Sequence, residues 1–348
     1  MSALAGTVVL DLTRLLPGGV ATKQLADWGA EVIKIEQPGE GDYARRMSPP
    51  VFERTNRGKK SVAIDLKKPR GREILLSLAR RSDVLVEGFR PGVMARLGLG
   101  YQDVCAVNER IIYASLTGYG QTGPYAQMAG HDLNYISLGG IMGLNLPVIP
   151  GVQIADLVGG SMQTVQGILL ALVERSRTGR GQHVDVSMYE GVTALLTVPL
   201  AMWQANGEEP AVGSLRLNGH YACYNIYQCS DERWISVGAL EPKFWAELCR
   251  RLQRQDLIAR QYEEPQDSLK QEIAAIFRGR PAFDWFNELR DSDCCVAPVR
   301  TISEVGRELP ATGGPAPPKL GEHTRDVLES AGLDGGQIAD LIAEGVIA

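Results

Sequence analysis

The first half of the chain alternates short apolar segments with amphipathic ones. Strand patterns, in which apolar residues run together or alternate with polar ones, occur at residues 7–12, 31–36, 61–66, 84–87 and 111–115. Helical spacing of apolar residues lies between them, at residues 20–28 and 71–82. Strands that alternate with helices across short connections are typical of a parallel sheet covered on both faces. We therefore predict an α/β domain.

The clearest helical pattern covers residues 160–177. Its apolar residues recur at steps of three and four and form one face: Met162, Val165, Ile168, Leu169 and Leu172. Glycines at positions 179 and 181 end this helix, and an alternating strand is predicted at residues 182–188.

Beyond residue 207 the pattern changes, which predicts a second domain. Short strands such as 234–237 mix with helices such as 244–252 and 269–277, as in an α+β domain. A segment rich in proline and glycine, residues 309–324, looks like a linker to one final helix. We predict a large domain at residues 1–200, completed by 312–348, and a small domain at 210–310.

Composition narrows the possible functions without identifying one. The chain has 348 residues, a net charge of −5 and scattered basic residues, which argues against a nucleic-acid partner. The longest apolar segment, near residues 192–203, contains Thr197 and Pro199 and is too short to span a bilayer. The N-terminal residues lack the basic and small-residue features of a signal peptide. We expect a cytoplasmic protein with no membrane partner.

Cysteine and histidine spacing argues against a metal centre. The six cysteines form no C-x-x-C pair and have no histidine cluster near them, which favours reduced thiols over disulfides or zinc. The four histidines are not part of an HExxH motif.

One glycine pattern is ambiguous. Gly118, Gly120 and Gly123 have the G-x-G-x-x-G spacing of dinucleotide-binding loops. The motif follows a late strand rather than the first, and no acidic residue lies about 20 positions further on. These features argue against a nicotinamide cofactor. We expect these glycines, together with Gly130, instead to let a ligand approach the backbone closely.

Three titratable residues lie in loops at the ends of predicted strands: His131, Asp156 and Glu241. Each has an ordinary structural explanation. Asp132, beside His131, can cap a short helix. Asp156 can interact with the positive end of the long helix, and Glu241 can cap the helix that follows it. Their shared location favours a role in ligand binding or catalysis, because open α/β sheets bind ligands where such loops meet.

Longer segments carry a family resemblance from end to end: LLPGGVATKQLADWGAEVIKIEQPG, NRGKKSVAIDLKKPRG, DVLVEGFRPGVMARLGLG, TGYGQTGPYAQMAGHDLNYISLGG, QIADLVGGSMQTVQGILLAL, TGRGQHVDVSMYEG, DERWISVGALEPKFW and DSDCCVAPV. In these segments the chain resembles the family III CoA-transferase superfamily (CaiB/BaiF-like), which includes the α-methylacyl-CoA racemases. The resemblance implies a Rossmann-like large domain, a smaller α+β domain and an interlocked homodimer.

Within the superfamily, three residues resemble the racemase branch. Asp156 matches an aspartate that transferases use as the acyl-accepting nucleophile and racemases use as an acid or base. His131, in GHDLNY, stands where the racemases have a catalytic histidine, and Glu241 matches the glutamate that orients it. The resemblance implies epimerisation of 2-methyl-branched acyl-CoA thioesters through an enolate. The alternative is CoA transfer between carboxylic acids through an intermediate on Asp156.

The resemblance also places CoA along a set of residues in the large domain: Ile64, Gly88, Phe89, Arg90, Arg96, Gly130, Asp132, Leu133, Asn134 and Tyr135. Arg90 and Arg96 suit this role because guanidinium groups are permanently charged, forked partners for phosphates. Because CoA is part of the substrate, the resemblance implies no separate cofactor and no metal.

Two departures from the racemase pattern leave the substrate open. Gln37 stands where racemases of this type can have an arginine that faces the CoA phosphates. The connection between His131 and Asp156 is shorter than in typical racemases and lies near the expected path of the acyl chain. The acyl length, the α-substituent and the chain that supplies Glu241 to each site are therefore not predicted.

Overall fold

A parallel sheet forms the centre of the larger of the two units into which the chain divides. In the computed structural model, which describes residues 2–309 and 315–348, this sheet has six strands: β1 (Val8–Leu12), β2 (Glu31–Glu36), β3 (Lys60–Ala63), β4 (Val84–Glu87), β5 (Ile112–Thr117) and β6 (His183–Ser187). The strands lie in the order β3-β2-β1-β4-β5-β6, and all neighbours are parallel. This is the Rossmann strand order, which reverses between β1 and β4. The predicted α/β class is confirmed.

The helices that the structure describes in this part of the unit are α1 (Leu15–Asp27), α2 (Ala44–Met47), α3 (Pro49–Asn56), α4 (Pro69–Ala79), α5 (Val93–Arg96), α6 (Tyr101–Val107), α7 (Asp132–Leu138), α8 (Gln163–Thr178) and α9 (Met188–Thr193), and several of them cover the two faces of the sheet. On one face Leu25 of α1 and Ile168 of α8 pack with Val86. On the other, Leu75 of α4 packs with Leu85. Because both faces are covered, every residue of β4 and β5 is buried, which suits their largely apolar sequences.

Two helices begin earlier than the sequence predicts. α1 begins at Leu15 rather than at residue 20, because Pro17 fits within a first turn, where its missing N–H has no helical partner. The helix predicted at 160–177 begins at Ala155. Its first part, Ala155–Met162, is π-helical and leads into α8. Such wide turns are uncommon and often lie at functional sites.

The continuous helix Ala155–Thr178 is, among the described residues, the one that is long and apolar enough to cross a membrane by length and composition alone. Ile168 and Ala171 of this helix are buried against the sheet. Core packing therefore explains the apolar residues on this face.

The second unit comprises residues 143–146 and 197–309 of the described chain. Its helices are α10 (Thr197–Asn206), α11 (Pro242–Arg251), α12 (Asp267–Phe277), α13 (Ala282–Leu289) and α14 (Ile302–Glu308). Its antiparallel sheet has the order β7 (Tyr224–Gln228), β8 (Trp234–Gly238), β9 (Val296–Pro298). In its core the rings of Tyr227 and Phe277 stack with centroids 5.5 Å apart. The predicted α+β class is confirmed.

The C-terminal segment belongs to the first unit and contains two helices where the sequence predicts one, α15 (Thr324–Ser330) and α16 (Gly335–Ala343). It joins the sheet edge through an antiparallel bridge between Ile64 and Ile347. The N–H of Ala63 also donates to Oγ1 of Thr324 at 3.0 Å. Part of the predicted linker, residues 310–314, lies outside the described residues.

Gly181 is a point of close backbone approach and gives a test of the packing. A Cβ built on Gly181 lies 1.9 Å from the carbonyl oxygen of Ile111, a buried residue directly before β5. We expect Gly181→Ala to lower the free energy of unfolding by about 1–3 kcal/mol, measured by denaturant unfolding. The control Gly335→Ala adds its methyl group to open space and should stay within about 0.5 kcal/mol of the wild type. Equal stability of both variants would contradict this packing.

Candidate active site

A cavity of about 530 Å³ opens in the first unit where β1, β4 and β5 end. Its wall is formed by residues 13–18, 88–91, 116–119, 126, 128–131, 134–135, 156 and 188. The sheet order reverses between β1 and β4, and open α/β sheets bind ligands at such a reversal. The cavity is therefore the natural ligand site of this unit.

The cavity brings together most residues of the large domain that were predicted for the site. The lining includes Gly88, Phe89, Arg90, Gly130, His131, Asn134, Tyr135 and Asp156. Residues from the loop after β4, from the loop that leads into α7 and from the start of the long helix thus meet at one edge of the sheet.

Five predicted residues lie elsewhere. Ile64 is 1% exposed and belongs to the hydrophobic core, so its side chain does not support a role in binding CoA. Arg96 and Leu133 are exposed and do not line the cavity. Asp132 contacts Asp156 instead, as described below. Glu241 precedes α11 in the second unit, so its role toward His131 stays a prediction.

The backbone of His131 is fixed by Asn134, one turn later in α7. The N–H of His131 donates to Oδ1 of Asn134 at 3.0 Å, and the N–H of Asn134 donates to the carbonyl of His131 at 2.8 Å. His131, rather than Asp132, therefore takes the N-cap position of α7. Its imidazole is held at the cavity wall while the side chain stays exposed.

Asp156 lies in the π-helical turn and is half-buried. Its backbone N–H donates to Oδ1 of Asp132 at 2.9 Å. Burial, together with the negative charge of Asp132, raises the pKa of Asp156 to about 6, although His131 acts in the opposite direction. A carboxyl group with this pKa can both accept and donate a proton near neutral pH.

The ring of Tyr135 explains two of the glycines. A Cβ on Gly118 or Gly130 would lie 2.5 or 2.7 Å from Cε1 of Tyr135, so the ring fills the space that a side chain would need. Both glycines also line the cavity, so the expectation that a ligand approaches their backbone stays a prediction. The Tyr135 hydroxyl donates to the carbonyl of Gly130 at 2.6 Å and fixes the loop before His131.

A buried carboxyl group supports the loop after β4. The N–H of Phe89 donates to Oε2 of Glu87 at 2.8 Å. Burial raises the pKa of Glu87 to about 7. Glu87 thus fixes the start of the segment in which Arg90 reaches the cavity wall.

The turn after β1 contributes residues that the sequence reasoning did not single out. The Arg14 guanidinium lies over the rings of Tyr43 and Phe89, 4.9 and 5.2 Å from their centroids, and Nη1 donates to the Tyr43 hydroxyl at 2.8 Å. Arg14 lines the cavity and adds a cation to it. Its place in the first turn between a strand and a helix is the signal that could have identified it.

A family model for CoA-transferase family III matches residues 4–313. The chain belongs to CoA-transferase family III. It is 34% identical to the α-methylacyl-CoA racemase of Homo sapiens, over 99% of this chain and 97% of that protein. It is 36% identical to the acetyl-CoA:oxalate CoA-transferase of Acetobacter aceti, over 88% of this chain and 83% of that protein.

Solved structures agree with this family. A CAIB/BAIF family protein from Brucella suis superposes with a TM-score of 0.80 at 27% identity, covering 94% of this chain and 99% of that one. The protein is therefore an enzyme of the family III type. The two enzymes compared by sequence carry out different reactions at similar identity, so family membership alone does not select the reaction.

The contact between Asp132 and Asp156 predicts a measurable titration. In Asp132→Asn the amide oxygen can still accept the N–H of Asp156, but the negative charge is lost. The pKa of Asp156 should therefore fall below about 6, towards the ordinary value for aspartate. Carboxyl ¹³C NMR titration measures this, with Asp156→Asn used to assign the signal. A pKa that stays the same or rises in Asp132→Asn would refute the proposed effect of the charge.

Proposed function

We propose that this enzyme epimerises 2-methyl-branched acyl-CoA thioesters at the carbon next to the carbonyl group. The observation that carries the proposal is that His131 and Asp156 line one cavity. Two proton-carrying side chains in one cavity are what this reaction requires. The similarity to the human racemase over nearly the whole chain supports the same reaction.

In this reaction the α-carbon loses a proton from one face and gains a proton on the other. The unprotonated member of the pair removes the α-proton, and the electrons of the broken C–H bond form an enolate with the thioester carbonyl. The protonated member then donates a proton to the opposite face, which yields the other epimer. The reverse reaction uses His131 and Asp156 in exchanged roles. The pKa of Asp156, raised to about 6 chiefly by burial, suits both of its states.

The remaining predicted residues have supporting roles in this proposal. Arg90 and Arg14 are cations at the cavity wall and would bind the phosphates of CoA. Glu241 would accept a hydrogen bond from the second ring nitrogen of His131 and fix its tautomer. CoA itself is part of the substrate, and the reaction needs no further cofactor.

CoA transfer is the second candidate. Here the Asp156 carboxylate attacks the thioester carbonyl and expels CoA thiolate, which leaves a mixed anhydride. The thiolate then attacks the aspartyl carbonyl, releases the first carboxylate and forms an Asp156–CoA thioester. The carboxylate of the second acid attacks this thioester and expels CoA thiolate, which leaves a second anhydride. The thiolate attacks the acyl carbonyl of that anhydride, which releases the new acyl-CoA and the free Asp156 carboxylate. The position of Asp156 in the cavity and the similarity to an acetyl-CoA:oxalate CoA-transferase favour this candidate.

We also propose an interlocked homodimer acting in the cytoplasm. None of the residues of α10 is buried, and its Leu200, Met202 and Trp203 are 41–46% exposed. Exposed apolar side chains grouped on one helix are typical of an interaction surface. A second copy of the chain would cover them and could contribute its Glu241 to the site.

Deuterium exchange tests the proposed reaction. A single epimer of 2-methylacyl-CoA, at several chain lengths, is incubated with enzyme in heavy water. We expect deuterium at the α-carbon together with the second epimer. His131→Ala and Asp156→Asn should each lower the exchange rate by about 10²-fold or more. His220→Ala, which removes a histidine bonded to Glu264 in the second unit, should leave the rate unchanged.

The same variants separate the two candidates. If the enzyme transfers CoA, His131→Ala should retain activity between an acyl-CoA and a free carboxylate, and acyl-CoA should make the enzyme sensitive to hydroxylamine. Transfer without α-deuteration at any chain length would replace the racemase proposal with the transferase one.

A further inference from the structure

The turn after β1 has an unusual backbone conformation at the cavity wall. Leu15 has a φ of +62° and lines the cavity. Residues other than glycine rarely adopt the left-handed region, and such strain persists only where the surroundings enforce it. The contacts that enforce it at Leu15 therefore help to set the shape of the cavity.

Asp42 makes the main contact. The N–H of Leu15 donates to Oδ1 of Asp42 at 3.0 Å, and the N–H of Ala44 donates to the same oxygen at 2.9 Å. The other carboxylate oxygen forms an ion pair with Nζ of Lys34 at 2.9 Å. Asp42 and Lys34 are both buried, so water cannot replace either partner.

Two further hydrogen bonds hold the residues that precede Leu15 in the turn. Nζ of Lys34 also donates to the carbonyl of Thr13 at 2.9 Å. The Tyr43 hydroxyl accepts the hydrogen bond from Arg14. Three consecutive residues of the turn are therefore held by Lys34, Asp42 and Tyr43.

The turn is also tied to Asp156. The buried hydroxyl of Ser161 lies 2.7 Å from the carbonyl oxygen of Pro17 and 3.0 Å from that of Asp156, and it can donate to both in a shared hydrogen bond. A displacement of the turn would therefore reach the π-helical segment that carries Asp156.

We infer that Asp42 is a positioning residue of this enzyme: by holding Leu15 in the left-handed conformation, it fixes the turn 13–18 against CoA and Asp156. Its effect on catalysis rests on the proposed function. Asp42 itself touches no reacting atom in this account. It acts through Leu15, whose backbone the carboxylate holds, and through the ion pair with Lys34.

The strain at Leu15 provides a test that a merely structural role would not pass. Asp42→Ala removes the acceptor, so Leu15 should relax and kcat/KM for the acyl-CoA should fall about 10- to 100-fold. Glycine adopts positive φ without strain. The double variant Asp42→Ala with Leu15→Gly should therefore recover most of the loss. Asp42→Asn keeps the acceptor oxygen and should lose less than Asp42→Ala.

Asp83 provides the matched control. It accepts the N–H of Val8 at 2.9 Å and pairs with Arg175 at 2.8 Å, at the amino edge of the sheet. Asp83→Ala should lower thermal stability yet keep kcat/KM within about twofold of the wild type. If Asp42→Ala is too unstable to purify, the same comparison is made between Asp42→Asn with and without Leu15→Gly.

Hydrogen exchange separates this inference from the proposed function. In Asp42→Ala the amides of residues 13–16 and 18 should exchange faster than in the wild type, whether or not an acyl-CoA is the substrate. A wild type that neither binds CoA nor exchanges the α-proton would refute the proposed function alone. Unchanged exchange at residues 13–16 and 18, or a double variant no more active than Asp42→Ala in an active enzyme, would overturn the inference.

Discussion

A cluster of buried charges beside β1 and β2 determines the shape of the active-site edge. Nζ of Lys59 lies 3.0 Å from Asp11 and 2.7 Å from Oγ1 of Thr22, and Lys34 pairs with Asp42. Burial acts to raise the pKa of Asp11, but Lys34 and Lys59 hold it well below its usual range. Buried charges are stable only when each has its partners. The cluster therefore allows one arrangement of the turn that borders the cavity.

The strands of the sheet are predicted well because the pattern that identifies each strand lies within its own few residues. Strands buried on both faces are rich in apolar residues, as residues 84–86 of β4 and 112–114 of β5 are. The positions at which helices begin depend more on residues that are distant in the sequence. α1 begins before Pro17, and the long helix begins as a π-helical turn at Ala155, because buried side chains and neighbouring loops set these boundaries. The apolar spacing of α8 gives no sign of that wide turn.

Some active-site residues were likewise predictable from the sequence nearby, and others depend on contacts with distant residues. His131 and Asp156 were predicted to lie at strand ends. The structure places His131 at the N-terminus of α7 and Asp156 in the π-helical start of the long helix, and both line one cavity. The turn at Leu15 was not predicted, because its shape depends on Lys34 and Asp42, which lie 19 and 27 positions further along the chain (34 − 15 and 42 − 15). Ile64 was predicted for binding but belongs to the core, because the C-terminal segment covers it.

The central claim is that one cavity holds the α-carbon of a CoA thioester between two proton carriers. The most direct test is a crystal structure with a 2-methylacyl-CoA analogue in which a methylene group replaces the thioester sulfur, so that the acyl group cannot be transferred or hydrolysed. The account predicts the α-carbon between the imidazole of His131 and the carboxylate of Asp156, within about 3.5 Å of each. An analogue bound outside the cavity, or with its carbonyl carbon against Asp156 and its α-carbon remote from His131, would contradict it.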